Sequence, residues 1–357
     1  MRDAIALLCA SLLLFPASEV LSDEDSTSGA TWTSPQNLSR LAPRYPQPHL
    51  AAEQSGWVDI SLVVSADGET TDLIVVDAVG GREFEEAALE AVSGFRYEPA
   101  TRGGAAVDGS PDVAVISFTV GDLGLAPRRP FLRRYNRDMR RLEQGMIDDT
   151  TRSLDRVRTE SSNFGELRLT NIVLAERARQ MDDPHGELMY LKRADVDIFD
   201  SLRDETHASV LAQLIDLELR LNRYADAFEN WAKLEALETR GDTADLALGI
   251  DEARRVVAEQ GPIIIPAEIR NRDQCVDCRG PWWFRPTYRE FAIVDILGTI
   301  DEVDVRCEAN RLVSANVEST IWELDDAWGK CVVLVFGEAD TSFSVAEAPN
   351  LAIGDPG

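Results

Sequence analysis

Lysine is almost missing from this chain. Of its 36 basic side chains only Lys192, Lys233 and Lys330 are lysines, and the others are arginines. Bases are also few against 63 acids, leaving a formal net charge of −27. That balance excludes non-specific nucleic-acid binding, which depends on counterion release by Lys and Arg. Histidine is as scarce: His49, His185 and His207 stand in three separate contexts. A His-based metal site or a nucleophile–His–acid triad therefore has almost no raw material. No phosphate-cradling glycine motif occurs. Neither an enzyme nor a cofactor is expected. What is present is globular in composition, with 44% hydrophobic and 28% charged residues, too apolar for a disordered chain. A length of 357 residues predicts two or three domains, because single cores rarely grow past roughly 250–300 residues.

Long apolar runs are missing too, except at the N-terminus. Ala4 to Phe15 is apolar apart from Ser11, Arg2 precedes it and Pro16 breaks it. As a helix, residues 4–17 would cover about 21 Å, short of a hydrocarbon core of roughly 30 Å. Residues 1–22 therefore read as a secretory signal, with cleavage expected after Ser22. An uncleaved segment, held on the periplasmic side of the inner membrane, is the alternative and the one route to membrane association. Cys9 follows Leu8 rather than a small residue, which argues against lipoprotein processing. The remaining cysteines, Cys275, Cys278, Cys307 and Cys331, are an even set in an exported chain. They predict two disulfides, for which three connectivities exist.

Residues 23–42 are polar and lack an apolar period, so they read as a linker. Val58, Ile60, Leu62 and Val64 then alternate with polar positions, as a half-buried strand does. Asp67-Gly68 is a hairpin turn signal, and Thr71 to Val79 is the second strand. Arg82 to Ser93 places Phe84, Ala87, Ala88, Ala91 and Val92 at helical spacing. Phe95 to Tyr97 is a short extended piece limited by Pro99, and Gly103-Gly104 make a turn. Residues 113–120 alternate again. The predicted order is strand, strand, helix, strand.

Six short motifs occur in that order: Arg44-Tyr45-Pro46, Gly56-Trp57-Val58, Ala66-Asp67-Gly68, residues 87–92, residues 95–100 and Ile116-Ser117-Phe118. Together they resemble the C-terminal domain of TonB, the energy transducer of Gram-negative bacteria, over residues 43–121. The motif residues Tyr45, Pro46, Gly56, Asp67, Gly68, Phe95, Arg96 and Pro99 are expected to define the fold first. Tyr45-Pro46 would set an extended entry into the first strand. The resemblance implies a periplasmic protein that binds the extended peptide of a TonB-dependent outer-membrane receptor by adding it to an exposed sheet edge. Such capture takes its affinity from main-chain hydrogen bonds. The candidate edge is residues 112–120, with Val113, Val115, Ser117 and Thr119 on one face. TonB proteins also carry a membrane anchor with a functional histidine and a long Pro-rich arm. Here the apolar segment has no histidine, and residues 23–42 extend at most about 70 Å. Receptor-peptide binding is therefore implied more strongly than force transmission. The alternative is a periplasmic interaction or assembly adaptor without energy transduction.

Arg128, Arg129, Arg133, Arg134, Arg137, Arg140 and Arg141 follow, several of them on one helical face. A solvated helix face is expected there in preference to a lipid- or acid-binding patch. Residues 128–260 read as helical. An apolar pattern recurs some 40 residues on: Leu188 and Leu191 follow the break at Asp182-Asp183-Pro184, and Phe228 and Trp231 follow Asn222-Arg223. This suggests tetratricopeptide-like repeats, with an ordinary helical bundle as the alternative. From Ile263 the period returns to two, predicting a small antiparallel β-domain over residues 261–350, with Trp282, Trp283, Trp322 and Trp328 in or beside its core. The expected fold class is multidomain α+β.

Cys275-Val276-Asp277-Cys278 is the one motif that could carry redox chemistry, but Gly280-Pro281 prevent a helix whose N-terminus would depress a thiol pKa. A four-thiolate zinc site would prefer a second CxxC, which Cys307 and Cys331 do not form. Structural disulfides Cys275–Cys278 and Cys307–Cys331 are expected, the latter tying two strands together.

Overall fold

The computed structural model describes residues 31–351 other than 112, 120–125, 148–152, 155–160, 196–204, 271–279 and 318–319. The expected signal, Cys275 and Cys278 lie outside the described residues. The N-terminal part runs β1 (Trp32–Thr33), β2 (Gln36–Ser39), α1 (Gln47–Ala51), β3 (Gly56–Val64), β4 (Thr70–Val79), α2 (Arg82–Ser93), β5 (Arg96–Glu98), β6 (Ala100–Arg102), β7 (Ala105–Val107) and β8 (Ala114–Phe118).

The strand–strand–helix–strand expectation corresponds to β3, β4, α2 and β8, with an antiparallel sheet in the order β4-β3-β8. Alternation drives this arrangement. Val58, Ile60, Leu62 and Val64 turn one sheet face to Phe84, Ala88 and Val92 of α2, and Ile116 and Phe118 of β8 join the same core. Two details differ from the sequence reading. Tyr45-Pro46 leads into the short helix α1 rather than directly into β3. The stretch read as a linker carries β1 and β2, which pair with β6 and β5. The exposed polar residues of β2 bring no apolar period, because ladder hydrogen bonds require only the main chain.

The helical part contains α3 (Arg129–Glu143), α4 (Phe164–Gln180), α5 (Pro184–Ala194), α6 (Glu205–Arg220), α7 (Tyr224–Ala236) and α8 (Ala244–Ala258). Apolar stripes join neighbours in turn: Leu188 and Leu191 meet Val210, Leu214 and Leu217. Leu211 and Ile215 on another face of α6 meet Ala227, Trp231 and Ile250. The α4–α5 and α6–α7 turns are built alike, 40 positions apart. Asp182 and Asn222 both take a left-handed φ, of 55° and 57°. The next amides, of Asp183 and Arg223, reach back to the carbonyls of Ala178 and Glu218. Each is a helix end closed by a residue tolerated in that conformation. In the arginine-rich α3, Arg137 and Arg141 flank the buried carboxylate of Asp138 and stay partly exposed themselves.

The C-terminal part contains β9 (Ile263–Ile269), β10 (Trp282–Phe284), β11 (Glu290–Leu297), β12 (Ile300–Cys307), β13 (Asn310–Ser314), β14 (Ile321–Glu323), β15 (Cys331–Gly337) and β16 (Thr341–Glu347). They form two antiparallel sheets, β10-β15-β12-β13 and β14-β11-β16-β9, around one shared core. Phe284, Phe291, Trp322 and Phe343 lie in that core, and Trp282 and Trp328 pack against it. Trp283 points elsewhere, toward the helices. Cys307 and Cys331 face each other across the β12–β15 ladder and are disulfide-bonded.

The free sheet face of the N-terminal part is covered by the two others. Arg193 of α5 donates to Asp77 of β4 at 2.6 Å. Arg306 of β12 donates to the Ser61 hydroxyl at 3.0 Å and is paired with Asp304 at 2.9 Å. Arg311 bridges Asp304 and Asp72. Arg270, beyond β9, clasps Asp183 at the α4–α5 turn. The alternation of β3 predicts one wet face, yet Trp57 is only 6% exposed and Ser61 7%.

Two predictions concern stability. Replacing Cys331 by Ser opens the loop that joins β12 to β15 and is expected to cost about 3.5 kcal/mol in denaturant unfolding, with dithiothreitol producing the same loss in the parent protein. Glu347 sits fully buried between the sandwich sheets, and burial pushes its carboxyl up to about 8. Its raised pKa gives stability that is complete below about pH 4.5 and drains away as the pH climbs through about 8. Glu347→Gln should therefore flatten the fall in Tm between pH 5 and pH 9 by several degrees, read by scanning calorimetry.

Candidate peptide-binding site

The motif residues of the first sheet serve its packing. Tyr45 sits edge-on to Phe84 and Phe118, and its hydroxyl donates to the Gln54 carbonyl. Pro46 caps α1. Gly56 lies so close to Phe84 and the Val79 carbonyl that a Cβ would collide with both. Asp67-Gly68 forms the β3–β4 turn, where Gly68 has φ of 80° against the Tyr97 carbonyl. Phe95 is core, Arg96 faces Glu69 at 3.5 Å, and Pro99 separates β5 from β6. None of them lines a cavity described below.

The two outer strands of the sheet differ in access. β4 is approached at Val75 and Val76 by Gly280, whose φ of 144° and lack of a side chain let its backbone lie against theirs. β8 pairs with β3 on one side, and among the described residues no strand pairs with its other side. The pairing of Trp57 with Ser117 and of Asp59 with Val115 sets the facing. Val113, Val115 and Ser117 lie on the sheet face turned away from α2, and Val115 remains 50% exposed. Thr119 follows the end of β8. Among the described residues β8 ends the sheet order, and its regular part is Ala114–Phe118, shorter than the expected strand over residues 112–120.

Beside this edge, where the three parts of the molecule meet, lies a cavity of about 450 Å³. Val113, Val115, Trp57 and Asp59 form its floor, α5 to α7 supply Lys192, Glu218 and Lys233, and Trp283 and Arg285 close it from the sandwich. A narrower space of about 180 Å³ continues along β4 past Trp57 and Asp77.

The cavity wall is a charge network. Asp226 accepts from Arg223, Lys192 and Arg285 at 2.7, 3.2 and 3.2 Å. Burial opposes its ionisation, but those three cations outweigh burial and hold its carboxyl far below the usual carboxylate range. Burial lowers the Lys192 ammonium against the pull of Asp226, and the ammonium also sits 4.2 Å over the Trp283 ring. Arg285 stacks on the same ring at 5.4 Å. Glu218 accepts two hydrogen bonds from Asn230, and burial, with the Asp226 charge beside it, pushes it up to about 7. Asp195 accepts from His207 at 2.7 Å. Among the described residues the buried indole nitrogen of Trp57 has no acceptor.

Sequence reading by motif missed Lys192, Glu218, Asp226, Lys233, Trp283 and Arg285. One signal was available: two of the three lysines of the chain line this one cavity. Of the four expected disulfide cysteines, Cys307 and Cys331 lie in the sandwich, away from the cavity. No cluster of metal-ligating side chains occurs among the described residues, and no helix there is long and apolar enough to cross a membrane.

A family model described as the Gram-negative bacterial TonB protein C-terminal matches residues 42–119. Among solved structures, the chain is similar to the TonB CTD of Pseudomonas aeruginosa, determined by solution NMR. That match has 24% identity over 26% of this chain and 92% of the other, with a TM-score of 0.23. The TonB2 protein from Vibrio anguillarum is 22% identical over 34% of this chain and 100% of the other, with a TM-score of 0.21. No curated protein matches. The family match, the motif order and the antiparallel sheet agree: residues 42–119 of this chain form a TonB C-terminal domain.

Proposed function

We propose that this protein captures an extended segment of an envelope partner by adding it as a further strand to β8. The favoured partner is the periplasmic peptide of a TonB-dependent outer-membrane receptor. The observation that carries the reading is the place of β8 at one end of the sheet order β4-β3-β8, with no strand on its outer side among the described residues, while Gly280 lies against the other end strand at Val75 and Val76. An unpaired row of amides and carbonyls is a template for a further strand, and its affinity is largely main-chain. The protein acts in the periplasm, as a binding protein rather than an enzyme. The recurrence of the same turn after 40 positions supports reading α4–α7 as two tetratricopeptide-like repeats.

A second reading, an adaptor without energy transduction, is favoured by one observation. The sheet face opposite α2 is held by Arg193 and Arg306 from the rest of the chain. The TonB-like domain is thereby part of a larger packed body instead of a tip at the end of a free arm.

Strand addition predicts a backbone signature. Peptides copied from the periplasmic segments of TonB-dependent receptors are titrated against the protein by calorimetry, with single N-methylated amides along the strand. Methylation at alternate residues, whose amides face β8, should weaken binding by at least about tenfold, while the intervening positions tolerate it. Uniform tolerance along the peptide would rule out strand addition.

A further inference from the structure

The arginines between positions 128 and 141 fall into two sets. One set is built into the fold. Arg128 pairs with Glu166 at 2.7 Å, and Arg137 and Arg141 stand 3.2 and 3.9 Å from Asp138. Both carboxylates are fully buried, so these guanidiniums balance charges that water does not reach. Arg134 is engaged as well. Arg129, Arg133 and Arg140 form the other set. They are exposed, and among the described residues none of them has an ion pair.

Spacing puts this second set on one side of α3. Steps of four and seven residues return to nearly the same direction on a helix of about 3.6 residues per turn. Arg129, Arg133 and Arg140 therefore make a row roughly 16 Å long, on the face turned away from the buried Phe131 and Leu142. Exposed Asn136 lies in the same row, and Glu143, the one exposed acid of the helix, pairs with none of the three. Nothing within the helix favours the row. Arg129 stands in the first turn, where the helix dipole disfavours a cation and no acid accompanies it. Arg129 and Arg133, one turn apart, repel each other. In a chain with 63 acids, three neighbouring guanidiniums without a carboxylate point to a negative partner from outside.

The character of the face decides what kind of partner. α3 lines neither of the cavities described above. Its outer row holds no apolar or aromatic residue to serve as the buried anchor on which protein interfaces concentrate their energy. An array of phosphates needs no such anchor, and a guanidinium fork bonds two phosphate oxygens at once.

We propose that the outer face of α3 is a docking surface for an anionic phospholipid leaflet, with Arg129, Arg133 and Arg140 each taking a headgroup phosphate. Salt confines each charge to roughly 8 Å under physiological conditions, so acids elsewhere on the molecule do not cancel the row at contact. Those same acids keep every other face away from the leaflet, which fixes the orientation of the docked protein. The contact needs neither the N-terminal apolar segment nor strand addition at β8.

The test sediments the full chain with vesicles of phosphatidylcholine, alone or with about 30% phosphatidylglycerol. Partition is expected to rise at least about tenfold with the anionic lipid at about 0.05 M salt, and to lose that gain near about 0.5 M. Insertion of the N-terminal segment would act on both vesicles alike. Arg129→Gln/Arg133→Gln/Arg140→Gln should abolish the preference and keep the unfolding midpoint within about 2 °C of the parent, since none of the three holds a partner in the fold. Arg82→Gln/Arg254→Gln/Arg255→Gln, which removes the same charge from exposed ion pairs on α2 and α8, should retain it. Equal partition onto both vesicles, or equal loss in the two triple variants, overturns the proposal. Binding to polyglutamate without binding to vesicles overturns it too, in favour of an acidic protein.

Discussion

Arginine–carboxylate pairing across the seams is the interaction on which the arrangement depends. Asp77 meets Arg193, Asp304 and Asp72 share Arg311, Ser61 and Asp304 hold Arg306, and Asp183 is clasped by Arg270. The contacts of Asp77, Asp72, Ser61 and Asp183 join sequence-distant elements, Asp304 orients Arg306 and Arg311 from within the sandwich, and Arg306 and Asp304 are almost wholly buried. Two buried charges repay their desolvation only when geometry and further hydrogen bonds are good, but removing one partner of such a pair costs about 3–5 kcal/mol. The pairs therefore act as keys for one docking geometry more than as sources of net stability. Guanidinium suits that role, since its planar fork bonds two acceptors at once and keeps its charge when buried. A chain that fastens its seams in this way has a physical use for arginine over lysine.

Docking on the sheet changes what the sheet is. A face with alternating polar residues, which would lie in water in an isolated domain, becomes the floor of a chamber. Trp57 then becomes part of its wall. Around it the low polarity of the junction sharpens every charge: burial, with the charge of the same Asp226 that three cations keep ionised, raises Glu218 to about 7. Opposite shifts in neighbouring acids are what a crowded, partly dry network produces. Lys192 and Lys233 stand in the cavity wall beside Arg285, while other arginines hold the frame.

The β-rich parts were legible in sequence because their alternation is local. The residues of β3, the whole of α2 and the Cys307–Cys331 pair follow from period, turn chemistry and strand proximity. The short strands β1 and β2 were not legible, since ladders of two and four residues, made of main-chain bonds, are too short to carry an apolar period. Helix α1 escaped as well, because two prolines that suggest extended chain also fit the first turn of a helix. The candidate edge strand was legible as a strand, but its neighbours were not. Val115 and Lys233 are far apart in sequence and meet only through packing.

What the sequence by itself determined is the set of local units: an α/β sheet with its hairpin and helix, amphipathic helices broken every twenty residues or so, and a run of short strands with a pair of cysteines. Each of these is written in periods of two or 3.6 residues, which short-range sterics and burial impose. Only the tertiary structure decided what lies against β4, which face is roofed, and which scattered charges share a cavity. Those outcomes depend on Gly280 against β4, Arg193 on Asp77 and Trp283 between Lys192 and Arg285. Contacts between residues so distant in sequence leave no period, and the charged side chains that make them look, one at a time, like any solvated surface.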